Sequence, residues 1–156
     1  MSVLDAKADV EKAEIELIVT GSDCPQFFPE IAEVIGQSDF ENANNRIIWG
    51  AMQSLYEDGK LEGLDSVLIW LRRHNYADTA EVFMEYHREI GVNFAWKPRA
   101  ARVKEAKQER FLKEQLTRAI CDLDRDHDAK TIAGRVATIT EQTLVDDAPK
   151  PLMGLK

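Results

Sequence analysis

The sequence lacks the short motifs that identify most nucleotide-using and metal-dependent enzymes. It has no Gly-x-x-x-x-Gly-Lys-Ser/Thr loop to hold a triphosphate, and no His-Glu-x-x-His or Cys-x-x-Cys pair to bind zinc. Its three histidines, His74, His87 and His127, are single and widely spaced. These absences predict a protein that is not an enzyme and that has no catalytic residue, no cofactor and no metal ion.

Cysteines and long apolar runs are also scarce. Cys24 and Cys121 match no metal or redox spacing, so we expect two reduced thiols. No apolar run approaches the roughly 20 residues of a membrane-spanning helix, and the charged N-terminal stretch lacks the apolar core of a signal peptide. These features predict a soluble, cytoplasmic protein without a membrane partner.

The charge is unevenly distributed along the chain. The net charge is −8, whereas residues 97 to 118 carry a local net charge of +5, so the remainder carries −13. The basic segment is either an ordinary solvated helix face or a contact surface for an acidic partner or a nucleic-acid backbone. Because the chain is acidic overall, we expect weak or no direct binding of nucleic acid. The candidate contact residues are Arg99, Arg102, Lys104, Lys107 and Arg110.

Apolar spacing predicts an all-α fold that begins with a compact helical bundle over residues 1–92. Five helices are expected there, and their ends are predicted from Gly, Pro, Asn and Asp positions. The first runs from Val10 to Thr20 and is closed by Gly21, and the second begins at Pro25 and is closed by Gly36. The third is capped by Asn42 or Asn44 and ends at Asp58-Gly59. Asp65 caps the fourth, and the fifth runs from Asp78 or Thr79 to Gly91.

Residues 93–145 are predicted to form an antiparallel helical hairpin, followed by a linker or tail over residues 146–156. The long helix is expected over about 98–125 and the second helix over about 129–143. Two helices alone cannot bury all the apolar side chains of this segment, so these side chains pack either on the bundle or on a second copy. For the second case, the predicted self-association residues are Phe111, Leu112, Leu116 and Ile120 of one chain against Ile132, Val136 and Ile139 of another.

Three stretches in the first half of the chain form a recognisable set: VEKAEIELIVTG, SDFENANNRIIWGAMQSLYEDG and LDSVLIWLRRHN. Together they resemble the N-terminal domain of bacterial and phage replicative DNA helicases of the DnaB type. The nucleotide loop of the RecA-like motor of such helicases is missing from the sequence. The signature residues expected in the core are Phe40, Arg46, Ile48, Trp49, Met52 and Leu55, and we expect Ile48, Trp49, Met52 and Leu55 to pack on Leu17, Val34, Leu68 and Leu71.

The resemblance implies a non-catalytic protein-interaction domain that acts in DNA replication. In the family this domain self-associates through its hairpin and is a docking surface for primase and helicase loaders. A second interpretation is a stand-alone, phage-encoded regulator that mimics this domain and binds a host replicative helicase. A third is a small helical nucleic-acid-binding protein that uses the basic face of residues 97–118.

Overall fold

A computed structural model of the chain describes residues 3–124 and 133–141, with side chains from residue 8 onward. These residues form α-helices, two short 3₁₀ helices (Pro25–Phe27 and Gln37–Asp39) and no strand, which confirms the all-α fold. The α-helices are α1 (Val3–Asp23), α2 (Phe28–Ala32), α3 (Ala43–Glu57), α4 (Leu64–Arg73), α5 (Ala77–Glu89), α6 (Lys97–Leu123) and α7 (residues 133–141). The chain divides into two compact units, Met1–Lys104 and Glu105–Lys156.

The first unit is built around the aromatic and aliphatic face of α3. The Trp49 ring lies between Phe28, at a centroid distance of 4.9 Å, and Phe40, at 5.1 Å. Tilted contacts of this kind add to the free energy gained by burying aromatic surface. One continuous apolar core contains side chains from each of the helices α1 through α5 and from the start of α6. Its members include Leu17, Ile31, Ile48, Met52, Leu71, Phe83 and Val103.

Residues 90–104 also belong to the first unit by their contacts. The backbone N–H of Asn93 donates to the Thr20 hydroxyl at 2.9 Å, and its side-chain amide donates to Glu16 at 2.7 Å. Trp96 is buried in the same core. The domain division at residue 92 stays a sequence-based prediction. The boundary between the two compact units, Lys104 to Glu105, falls within α6.

The second unit contains the helical hairpin. Arg135 forms an ion pair with Asp122, and Gln115 lines a shared cavity with Thr138 and Ile139. Later residues of α6 thus lie beside earlier residues of α7, so the two helices are antiparallel. The predicted turn between them, Ile132 and the predicted linker of residues 146–156 lie outside the described residues.

Some predicted helix ends are confirmed. Asn42 caps α3, because its side-chain oxygen accepts a hydrogen bond from the backbone N–H of Asn45 at 3.2 Å. Gly59 follows the helix with φ of 69°, the left-handed conformation expected after a helix end.

Other predicted ends are wrong. α1 continues past Gly21 to Asp23, since Gly21 is a packing position: an added Cβ would lie 2.9 Å from Met52 Cε and 3.3 Å from the Phe28 ring. Pro25 begins a 3₁₀ turn, and α2 ends at Ala32, short of Gly36. Asp65 lies inside the first turn of α4, whose cap position is Gly63.

The remaining corrections concern α5 and the core. The cap position of α5 is Tyr76, so Asp78 and Thr79 lie inside the helix. The Thr79 hydroxyl donates to the Asn44 side chain. Val34 is 43% exposed, so it does not pack in the core with Leu17, Leu68 and Leu71.

Candidate interaction surfaces

A buried carboxylate positions the signature helix α3 on α1. Glu14 is 1% exposed, and its carboxylate accepts hydrogen bonds from the Glu41 backbone N–H at 2.7 Å and from the Asn45 side-chain amide at 2.7 Å. The Tyr86 hydroxyl donates to the Asn45 side-chain oxygen at 2.6 Å, which extends the network to α5. The negative charge lies at the N-terminal end of α3, where the helix dipole favours it.

This network shifts the proton affinities of its members. Burial raises the pKa of Glu14 above its ordinary value, although hydrogen bonds from Asn45, Glu41 and Asn42 act in the opposite direction. Burial, together with the nearby charges of Glu14 and Glu11, raises the pKa of Tyr86 to about 12. Tyr86 therefore stays a hydrogen-bond donor at neutral pH.

The signature residues differ in their surroundings. Phe40, Ile48, Trp49, Met52 and Leu55 are buried. Arg46 is exposed, and its guanidinium donates to the backbone carbonyls of Phe40 at 3.0 Å and Glu41 at 2.8 Å. The signature thus combines apolar packing with one arginine that closes the turn before α3.

The basic residues at the start of α6 are engaged by the acidic bundle itself. Arg99 Nε lies 3.2 Å from Glu16 Oε2, and Arg102 Nε lies 3.1 Å from Asp9 Oδ2. Lys104 Nζ lies 3.7 Å from Asp39 Oδ2 and donates to the backbone carbonyl of Val34 at 3.2 Å. These three cations therefore form ion pairs with carboxylates of the first unit. Their contact with a separate acidic partner or a nucleic acid stays a prediction.

Lys107 and Arg110 belong to the second unit, and each already interacts with another group. Arg110 also lines a surface depression with Lys113, Glu114, Thr117 and Arg118. Three of these five residues are basic and one is acidic, so the depression is mainly cationic. A role of Lys107 and Arg110 in binding an acidic partner or nucleic acid stays a prediction.

The predicted self-association residues of α6 do not share one environment. Phe111 is 41% exposed and Ile120 is 61% exposed, whereas Leu112 and Leu116 are partly buried. On α7, Val136 and Ile139 are partly buried. Ile132 lies outside the described residues, and so does any contact that it makes.

One polar cluster is not among the sites predicted from the sequence. His87 Nε2 lies 3.0 Å from both Ser22 Oγ and Asp23 Oδ1, while Nδ1 lies 3.0 Å from the Phe83 carbonyl oxygen, to which it donates. In a hydrolytic triad the serine and the carboxylate bind opposite nitrogens of the imidazole. Here both meet the same nitrogen, and Ser22 is fully buried, so this cluster ties the end of α1 to α5.

Within residues 3–124 and 133–141, no group of three or more acidic, cysteine or histidine side chains is arranged to hold a metal ion. Cys24 and Cys121 are free thiols. No helix in this part of the chain is long and apolar enough to cross a membrane. The described residues form apolar faces, ion pairs and buried hydrogen-bond networks.

Comparison with solved structures shows the class of fold. The crystal structure of the N-terminal domain of DnaB helicase from Mycobacterium tuberculosis matches with a TM-score of 0.70. The match covers 85% of this chain and 95% of the other at 16% sequence identity, which shows a shared fold. No curated protein sequence matches this chain.

Comparison with family models identifies the family. Residues 6–105 match the model of the DnaB-like helicase N-terminal domain. Because this match covers well over half of the chain, the protein belongs to the family of DnaB-like helicase N-terminal domains. The matched region nearly coincides with the first compact unit, Met1–Lys104.

Proposed function

We propose that this chain acts as a non-catalytic interaction domain of a DnaB-like replicative helicase, which self-associates through its hairpin and docks a primase or a helicase loader. Family membership and fold support the helicase setting. The signature residues are explained by their structural role, because they form the buried face of α3 and the contacts around it. Function then resides in the surfaces that the scaffold presents.

The observation that carries the self-association proposal is an apolar stripe on α6, of which the two later residues are exposed. Leu116, Ile120 and Leu123 follow at i, i+4 and i+7, the spacing of one helix face. Ile120 is 61% exposed and Leu123 is 45% exposed. Exposed apolar side chains at this spacing are typical of a helix that packs against another helix.

This stripe does not face the other helix of the hairpin. Gln115 and Asp122, which lie near α7, are seven residues apart and share one face. Leu116 follows Gln115 by one residue, and so lies about 100° around the helix. The stripe is therefore available to a second copy, whose identical stripe forms a two-fold, isologous contact.

The proposal is tested by placing a charge in the stripe. Ile120→Asp should give a folded monomer, because an unpaired carboxylate in an apolar contact costs several kcal/mol. Cys121→Asp is the matched control, since Cys121 is exposed on the same helix and points about 100° away from Ile120. Sedimentation velocity should show association for the wild type and the control, and none for Ile120→Asp. Equal behaviour of the two variants would contradict the proposal.

Docking is tested with the primase and the loader of the same organism. We expect purified wild-type chain to bind one of them in a pull-down with defined components, and we expect binding to fall for Ile120→Asp where the docking surface spans two copies. Failure of both proteins to bind the folded, associated wild type would contradict the docking role.

A further inference from the structure

A groove runs between α1 and α5, on a side of the first unit away from the ion pairs of α6. Its volume is about 390 Å³. It is lined by Ala8, Glu11, Lys12, Ile15, Val82, Glu85, Tyr86, Glu89 and Ile90. Asp9 and Glu16, which hold the start of α6, lie on α1 outside this lining.

The lining residues have a regular spacing. On α1 they fall at positions 8, 11, 12 and 15, and on α5 at positions 82, 85, 86 and 89, so each helix contributes i, i+3, i+4 and i+7. This spacing makes a ridge of two helical turns, about 10 Å long. Two such ridges side by side form the trough in which a third helix packs.

The chemistry of the groove is apolar inside and acidic at the edges. Ile15, Val82 and Ile90 are partly buried and form the apolar floor. Glu11, Glu85 and Glu89 are exposed, against the single cation Lys12. An adjoining depression of about 240 Å³ shares Glu11 and adds Glu14, Glu41 and Asn42. Of the added residues, Glu41 is exposed and Glu14 is buried, so the acidic surface extends beyond the groove only by Glu41, on the side of Glu11.

We propose that this groove binds a basic amphipathic helix of a partner protein, about two to three turns long, which packs as a third helix on α1 and α5. The inference rests on the proposed docking function and names the surface and the chemistry of the partner. Leucine-like side chains of the partner cover Ile15 and Val82, and its lysines or arginines meet Glu85 and Glu89.

Charge selects this occupant over the alternatives. A nucleic-acid backbone would be repelled by the acidic rim. A second copy offers a poor match, because Arg99, Arg102 and Lys104 already pair with their own bundle. The remaining stretch of its basic segment, residues 105–118, has four basic and three acidic residues and a net charge of only +1.

The test uses a synthetic peptide and charge reversal. The probe is a fluorescent helical peptide of roughly 14 residues with leucines at i, i+3, i+4 and i+7 and lysines elsewhere, and its twin has glutamate in place of lysine. Fluorescence anisotropy should show that the lysine peptide binds the wild-type chain and that the glutamate twin does not. Glu85→Lys with Glu89→Lys should weaken lysine-peptide binding by about tenfold or more.

The matched control is Glu57→Lys with Glu62→Lys, which changes the net charge equally at two exposed positions outside the groove. It should keep the affinity for the lysine peptide. An equal loss of affinity in both double variants would show non-specific electrostatic attraction and would overturn the proposal. Val82→Ser, which removes part of the apolar floor, should also weaken binding, with a thermal melt to verify folding. Unchanged affinity of Val82→Ser for the lysine peptide would contradict packing on the apolar floor and overturn the proposal.

Amide chemical-shift changes locate the bound peptide. Changes centred on residues 8–15 and 82–90 support the groove, whereas changes centred on residues 105–141 overturn it. Concentration-dependent changes in the groove without peptide would make a second copy the occupant and overturn the proposed partner. Ile120→Asp should leave peptide binding unchanged, so a failure of hairpin self-association is distinguishable from a failure of the groove.

Discussion

The side-chain amide of Asn45 donates a 2.7 Å hydrogen bond to the carboxylate of Glu14, across 31 residues of sequence. This contact joins α1 to the first turn of α3, and it holds both groups out of water. A buried charge is tolerated only when several donors satisfy it. The backbone N–H groups of Glu41 and Asn42 supply the further donors here, at 2.7 and 3.4 Å.

The raised pKa of Glu14 makes stability depend on pH. The folded state holds this proton more tightly than the unfolded chain, whose value lies near 4.5. The resulting stabilisation is fully present below that pH and is lost as the pH rises through the raised pKa. Glu14→Gln cannot titrate, so the free energy of unfolding of the wild type minus that of the variant should fall as the pH rises above about 4.5.

Urea unfolding of both proteins at a series of pH values measures this difference. Glu57→Gln removes one exposed carboxyl group outside the network and is the matched control. A difference between wild type and Glu14→Gln that stays constant from about pH 4 to pH 8 would show that Glu14 is not the titrating group.

Gly21 should be replaceable only when its neighbour is shortened. An alanine Cβ would meet Met52 Cε at 2.9 Å and the Phe28 ring at 3.3 Å. Overpacking costs about 1–3 kcal/mol, which exceeds the gain in helix propensity of at most about 1 kcal/mol. We expect Gly21→Ala to destabilise the wild type, and to be neutral or stabilising when combined with Met52→Leu. Equal costs in the two backgrounds would contradict this contact.

The two arginines at the start of α6 should contribute unequally. The side chain of Glu16 is 8% exposed, whereas that of Asp9 is 39% exposed. A buried carboxylate that loses its partner costs more than an exposed one, so the coupling energy of Arg99 with Glu16 should be about 1–3 kcal/mol. That of Arg102 with Asp9 should be about 0.2–1 kcal/mol. Double-mutant cycles by chemical unfolding measure both, and the reverse order would contradict this ranking.

No nucleotide hydrolysis is expected from the purified chain, because its sequence has no loop that holds a triphosphate and its Mg²⁺. An ATPase assay with and without single-stranded DNA should stay at background. Magnesium-dependent turnover that persists through further purification would contradict the proposal of a non-catalytic domain.

Local features with a single physical cause were predictable from sequence. The Asn42 cap follows from a side-chain acceptor at a helix start, and Gly59 from the need for positive φ at a helix end. The all-α fold follows from apolar spacing of 3.6 residues along most of the chain.

Features with competing causes were predicted wrongly. Gly21 was predicted to end α1, but the close approach of the Met52 and Phe28 side chains explains the glycine at this position. The apolar spacing that includes Val34 predicts burial, yet α2 ends at Ala32 and leaves Val34 exposed. Local pattern alone does not distinguish a packing glycine from a stop.

The network and the groove depend on contacts between distant segments, so sequence periodicity could not find them. Glu14 looks like any other glutamate of an acidic helix until Asn45 is placed beside it. The anchoring of residues 92–98 by Asn93 and Trp96 had no signal in the sequence beyond the presence of a large aromatic residue.

The proposed function requires that this chain associates with itself through the apolar stripe of α6. Static light scattering of the purified wild-type chain at tens of micromolar measures this most directly. One chain has a mass of 17.7 kDa, and we expect a molar mass of at least twice that value, which decreases on dilution. A molar mass of one chain at every concentration would rule out self-association through this stripe.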